Sequence, residues 1–454
     1  MAHMAFESVI AVNRFGLGAA PGELAAVGAD PRAWLARQAG QPAPERPEFA
    51  GLAHSNEALK EYPRWIASLR NAGARTVEET FREHFGPIIL AEVGARLAAA
   101  AATPAPFHER LAWFWANHFT VSAEKPLVFA LVGSFEREAI RPHVGGRFAD
   151  ILLASCSHPA MILYLDNHLS VRKGWQPRRP PRSAAFPSPT GLNENLAREI
   201  LELHTLGVNG GYTQADVSEF ARVITGWTVG RTAGPGFLFD PARHEPGPKT
   251  LLGKTYAEEG RAQGEAVLRD LAAHPATALH VATKLARHFI ADEPPPAAVA
   301  RIARAFRDTD GHLPSVYAAL LDCPEAWERP LAKLKSPIEY VVSCQRALPA
   351  LRAAKPQAMF FTLRGMGQRP FFAPSPQGWP DNTGAWAGAD ALWKRIEWAG
   401  ILAARLGSQV DPLALAREGY GEAVGEATRL ALARAESRQQ GLALWLASPE
   451  FQRR

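Results

Sequence analysis

Apolar residues recur every three or four positions in segments such as "ARTVEETFREHFGPIILAEVGARLAAAAA", "HERLAWFWANHF" and "AVLRDLAAHPATALHVATKLARHFI". That period lines them along one stripe of an α-helix, and the Ala, Leu, Arg and Glu that fill these segments are strong helix formers. Runs of alternating β-branched residues are nearly absent. The pattern predicts an all-α fold: a large multi-helix domain with long Pro- and Gly-rich loops and minor β at most, near "GFLFDPARHEPGPKTLLGKTY". Three long loops are expected, at Arg172–Gly191, Val229–Tyr256 and Arg364–Trp386, where prolines and glycines interrupt any helix. Residues 5–330 read as the main helical domain, including a basic loop at 172–191. Residues 331–454 read as a C-terminal helical part packed on the same domain. "MAHM" at 1–4 reads as a cloning scar.

The most informative helix is "GLNENLAREILELHTLG", opened by Asn193 as a cap and closed by Gly207 as a left-handed stop. At about 100° per residue, Leu196, Ile200 and Leu203 share an apolar face. Glu194, Arg198 and Glu202 fall on the opposite stripe, an ordinary i, i+4 ladder. Glu199 and His204 project into the apolar sector, where a carboxylate costs several kcal/mol unless paired, protonated or metal-bound. Taken alone, each is more often structural than functional. Thr213 and Asp216 after it are spaced as a capping box.

Other polar residues break apolar faces. His118 follows Leu111, Phe114 and Trp115 on one face of its helix. Asp166, Asn167 and His168 end a short apolar helix that starts at Ser157 and His158, a cap before Pro159; Asn167 has a plain reading as a C-cap. His244, Glu245 and Lys249 sit in a loop. As a set, His118, Asp166, Glu199, Glu202, His204 and His244 offer the nitrogen and oxygen donors that Zn, Fe or Mn take, and helical bundles house such sites. Glu-x-x-His, HExxH, G-x-S-x-G, Walker A and G-x-G-x-x-G patterns are all missing, which removes support for serine-hydrolase, P-loop and Rossmann readings.

Composition adds bounds. The 454 residues, 47% hydrophobic and 21% charged, suit a globular chain with a sizeable core. The net charge of +5 is too small and dispersed to point to nucleic acid. Cys156, Cys323 and Cys344 form no C-x-x-C pair, so neither a disulfide framework nor a cysteine-rich zinc site is expected. No run of eighteen apolar residues occurs and no signal peptide is visible, so no transmembrane segment and a cytoplasmic location are expected, or export if a leader has been removed. Arg172, Lys173, Arg178, Arg179 and Arg182 form a basic loop, ordinarily a solvated segment, alternatively an anion-binding one.

The chain resembles the bacterial family catalogued as domain of unknown function 1800. The likeness runs from "AVNRFGLGA" through "WFWANHFTVS", "HPAMILYLDN", "NENLAREILELHTLGVNGGYTQADVSEFARVITGWT", "HEPGPKTLLG" and "KLKSPIEYVVS" to "GWPDNTGAWAGADALWKRIEWA". It implies a mainly helical fold and, because many members are encoded beside an exported family related to sulfatases, a protein partner of that kind. It marks His118, Asp166, Asn167, Glu194, Arg198, Glu199, Glu202 and His244 as motif positions without assigning them roles. Many resembling sequences read His-x-His where this chain has Ala116 before His118, which weakens a metal site built on that first histidine.

The first functional expectation is an enzyme with a buried carboxylate–histidine site: Glu199, His204, Arg198 and Asp166 catalytic, with His118, Glu199, Glu202 and His244 holding a divalent metal, Zn, Fe or Mn, for hydrolysis or oxidation. Its substrate, small or polymeric, is not specified by the sequence. The second is a non-catalytic binding or assembly module whose polar cluster is a structural network. The third and weakest is a polyanion binder through the basic loop, with nucleic acid itself not expected.

Overall fold

The computed structural model describes residues 2–40, 46–69, 76–177, 189, 191–230 and 234–454. Arg178, Arg179 and Arg182 of the expected anion-binding loop lie outside them. The described chain is mostly α-helical, as the periodicity predicts, with two small two-stranded sheets. Six helices and four strands carry the argument: α1 (Val77–Ala102), α2 (Pro106–His118), α3 (Asn195–Glu199), β1 (Trp227–Gly230), β2 (Gly236–Phe239), β3 (Lys249–Leu251), β4 (Lys254–Tyr256), α4 (Pro275–Phe289), α5 (Pro337–Ala347) and α6 (Ala389–Leu406). β1 pairs antiparallel with β2, and β3 with β4. β2, β3 and β4 fall within the stretch where minor strand was expected; β1 precedes it.

Local chemistry starts the helices. α2, α4 and α5 each open on a proline at the first helical position, where its missing N–H costs nothing. His158 and His274 stand just before such prolines, each accepting a backbone N–H on Nδ1 at 3.1 Å. Thr213 and Asp216 close the predicted capping box, and Asp216 also accepts the Leu252 N–H at 2.8 Å.

Two apolar cores result. The first draws on residues from Ile10 to Trp327, where Phe15 stacks on Phe289 and Trp327 at 5.5 and 5.2 Å. The second gathers the C-terminal helices around Tyr340, Trp445 and Phe451, and it includes Val93, Leu97 and Trp113 from α1 and α2. Each fully buried large side chain contributes roughly 1.5–3 kcal/mol. α1 is long and apolar enough, by length and composition, to cross a membrane, which the sequence reading did not anticipate. In this fold it lies between the two cores, with Phe85, Ile89, Val93 and Leu97 buried and Glu92 buried against Arg137.

Charges are buried too, in networks. Arg141 donates two hydrogen bonds to the fully buried Glu109 at 2.7 and 2.8 Å and reaches Glu136 at 2.6 Å. Arg46 stands 3.4 Å from Glu109, and Arg96 2.8 Å from Glu136. A second network centres on Glu339, bonded to Arg110 and 3.1 Å from Arg454, and its capping bond to the Ser336 N–H is 2.7 Å.

Candidate functional site

The decisive local feature is a change of helix type. α3 ends at Glu199 and the chain continues as a π-helical turn, Ile200–His204. Its wider winding invalidates a projection at 100° per residue, and π-turns concentrate at functional sites. Glu194 and Arg198 keep the expected pairing at 3.0 Å, extended by Gln214 and Ser218. Glu202 leaves that ladder and lines a cleft instead. His204 is fully buried, as projected, whereas Glu199 is only half-buried. Glu199 makes no hydrogen bond or ion pair among the described residues, and burial together with the charge of Glu202 raises its pKa.

The cleft encloses about 800 Å³ and is walled by segments far apart in sequence. α2 contributes Trp113, Phe114, Asn117 and His118, and the π-turn Glu202 and Leu203. α4 adds His280, Lys284, Arg287 and His288, and the start of α5 adds Ser336 and Glu339. The loop 368–382 and Trp386 close it. Asn117 fixes that loop reciprocally, accepting the Trp379 N–H at 2.8 Å and donating to the Trp379 carbonyl at 2.9 Å. Gly378 has φ +85°, and a Cβ there would stand 2.5 Å from the Asn117 carbonyl, so the close approach requires glycine.

Within the cleft, His288 Nδ1–H donates to Asp381 at 2.6 Å. Asp381 also faces Lys333 and Arg454 at 3.7 and 3.5 Å. Burial works to raise the Asp381 pKa, but His288, Lys333 and Arg454 outweigh it and hold the carboxyl down to about 2. Burial lowers His288, leaving a neutral ring whose Nε2 is buried without a hydrogen-bond partner among the described residues.

Lys284, one turn earlier on α4, makes no hydrogen bond or ion pair among the described residues. Burial lowers its pKa to about 8 against the pull of Asp381. Three imidazoles lie close by. His118 Nε2–H donates to the His204 carbonyl at 3.0 Å and His280 Nε2–H to the Leu203 carbonyl at 2.9 Å. The His118 ring centroid is 6.1 Å from both His204 and His280. Burial, then the Lys284 charge, lowers His204 to about 3 and His280 to about 4; the same two effects lower His118.

These neutral histidines carry a pH signature. The unfolded chain protonates them near 6.5, whereas His280 refuses the proton until about 4 and His204 until about 3; His108, buried near the start of α2 outside the cleft, likewise stays neutral until about 4. A folded pKa below the unfolded one means the unfolded state binds more protons in that window, so stability falls as pH drops below 6.5. Each such histidine contributes a slope of about 1.4 kcal/mol per pH unit there. Urea midpoints measured at pH 7, 6 and 5 are expected to fall together with pH; a flat midpoint would contradict the neutral-histidine assignment.

The expected metal set is not assembled. Among the described residues no three His, Cys, Asp or Glu side chains are grouped to hold a metal ion. His118 and Glu202 line the cleft, Glu199 does not, and His244 is held elsewhere, its Nδ1–H donating to the Thr225 carbonyl at 2.9 Å. The unpaired Lys284 charge beside His118, His204 and His280 opposes a second cation there. The expected catalytic set also disperses: His204 packs behind the cleft, Arg198 stays on the outer ladder, and Asp166 pairs with Lys125 at 2.6 Å. Asp166 adopts φ +60°, and Asn167 donates to the Ile224 and Trp227 carbonyls rather than capping a helix. In the basic loop, Arg172 bonds the Ala242 carbonyl, while Arg243, not a ligand, stacks over Trp175.

The cleft residues that the sequence reading missed are Lys284, His288, Lys333, Glu339 and Asp381. The helical projection that singled out His118 would have found His288, which falls beside Val281, between it and Lys284, at the edge of the apolar face of α4. Glu339 was masked by its capping position, and Asp381 by a turn-like "PDNTG".

Fold and site together define a large, mostly α-helical protein with a polar cleft lined by both cations and carboxylates between its two cores. Residues 10–453 match the family described as "Protein of unknown function (DUF1800)", and the chain belongs to it. No curated protein and no solved structure matches the chain.

Proposed function

We propose that the protein is an enzyme that carries out acid–base chemistry on a substrate held in this cleft. His288 acts as the proton acceptor and Asp381 orients it. The observation that carries the reading is the 2.6 Å His288–Asp381 bond in the cleft wall, with the opposite ring nitrogen left without a hydrogen-bond partner among the described residues. A histidine kept neutral, with one nitrogen fixed by a carboxylate, holds a lone pair on the other that can act as a base. That nitrogen is covered in this structure, so a substrate must displace the side chains over it to reach the base. Nearby Lys284 and Arg287 supply positive charge for an anion that develops on the substrate. This keeps the carboxylate–histidine chemistry expected from the sequence and moves it from Glu199 and His204 to Asp381 and His288. It is tested by the turnover of Asp381→Asn.

A second reading is an assembly module. It draws on Trp393, Ile396 and Ile401 of α6, which are 60%, 47% and 49% exposed although large and apolar. Under it, Asp381→Asn leaves partner binding intact.

A further inference from the structure

Lys284 is the residue of the cleft that the fold does not explain. Five cationic side chains, Arg96, Arg110, Lys284, Arg287 and Lys333, and four acidic ones, Glu202, Asp292, Glu339 and Asp381, line the cleft. Three of the acids are committed to cations, and the fourth, Glu202, accepts a hydrogen bond from the Tyr212 hydroxyl. Glu339 serves Arg110 and Arg454, Asp292 serves Lys333 at 2.7 Å, and Asp381 serves His288, Lys333 and Arg454. Arg96 is ion-paired with Glu136 at 2.8 Å. Among the described residues that leaves the Lys284 ammonium with no hydrogen bond or ion pair; Asp381 acts on it only through its field, and its neighbours His118, His204 and His280 bring no negative charge. Lys284 is half-buried, so its ammonium is only partly hydrated in the cleft, and a partly desolvated charge costs free energy until it is paired.

We infer that Lys284 is the docking point for an anionic group of the substrate: a carboxylate, phosphate or sulfate on an organic body that lies against the aromatic walls, Phe114 and Trp379. The inference rests on the reading of the cleft as a substrate site and names the substrate class. An oxyanion completes the missing ion pair, and Arg287 on the next turn of α4 lies within reach of the same group. The aromatic faces favour an apolar or planar body over a bare ion.

The test is thermal unfolding of the full chain at pH 7, with sodium acetate, phosphate or sulfate compared against sodium chloride at equal ionic strength. The wild type, Lys284→Met and Lys284→Arg are measured side by side. At least one oxyanion is expected to raise the wild-type Tm, and the three salts separate carboxylate, phosphate and sulfate preference. Lys284→Met is expected to melt higher than wild type in chloride, because the unpaired charge is gone, and to show no oxyanion response. Lys284→Arg is expected to keep the response. A wild type that responds to none of the three salts, or a Lys284→Met that responds as the wild type does, overturns the inference. An oxyanion response that depends on Lys284, together with turnover indifferent to Asp381→Asn, keeps the docking site and removes the acid–base reading.

Discussion

Replacing Glu109 by Gln is expected to destabilise the fold by about 3–5 kcal/mol, the cost of leaving a buried charge without its partner. Glu109 is fully buried and accepts two hydrogen bonds from Arg141, with Arg46 alongside. Burial alone would raise its pKa, yet Arg141 and Arg46 hold it down to about 2. Glutamine keeps the shape and removes the charge, so Arg46 loses its carboxylate and Arg141 retains only Glu136. The outward pair Glu194–Arg198 provides the contrast: it is partly exposed at 3.0 Å, and Glu194→Gln is expected to cost under about 1 kcal/mol. Urea unfolding of the two variants checks the pair of values. A Glu109→Gln change as small as that of Glu194→Gln would contradict the network described here.

Replacing Asp381 by Asn is expected to lower turnover by about 10²–10⁴-fold, the usual contribution of a positioned acid–base group. The asparagine amide can donate to His288 Nδ1 instead of accepting from it, which moves the ring proton to Nε2 and turns the base into a donor. Asp381 also faces Lys333 and Arg454, so the variant loses stability as well. His288→Gln separates the two effects, because it removes the base and leaves those ion pairs in place. Turnover is found by screening the wild type against small carboxylates and phosphate and sulfate esters. Loss in both variants, with folded protein by circular dichroism, is the expected outcome. A substrate turned over equally well by all three proteins would remove His288 and Asp381 from the chemistry.

Much of the architecture is legible in the sequence because it is set locally. Helix periodicity, prolines at first helical positions, the Thr213–Asp216 box and Gly207 at φ +83° all depend on neighbours within a few residues. The minor strand region near residues 236–256 is legible for the same reason. The site is less so. The π-turn at Ile200–His204 has no reliable sequence signature, and it moves Glu202 into the cleft and leaves Glu199 half-buried. His118 and His280 bond backbone carbonyls of that turn, partners that no spacing rule reveals. Asp381 and His288 are 93 residues apart in sequence, and Lys284 looks like an ordinary charge at the edge of an amphipathic helix.

The central claim is that the cleft holds a prepared electrostatic site, with an ammonium the fold leaves unpaired, rather than one more satisfied network. The pH dependence of Lys284 acylation in the full chain, read by mass spectrometry of its peptide, tests it most directly. The account predicts half-maximal reactivity near pH 8. Reactivity that rises only near the ordinary lysine value of 10.5 would contradict it.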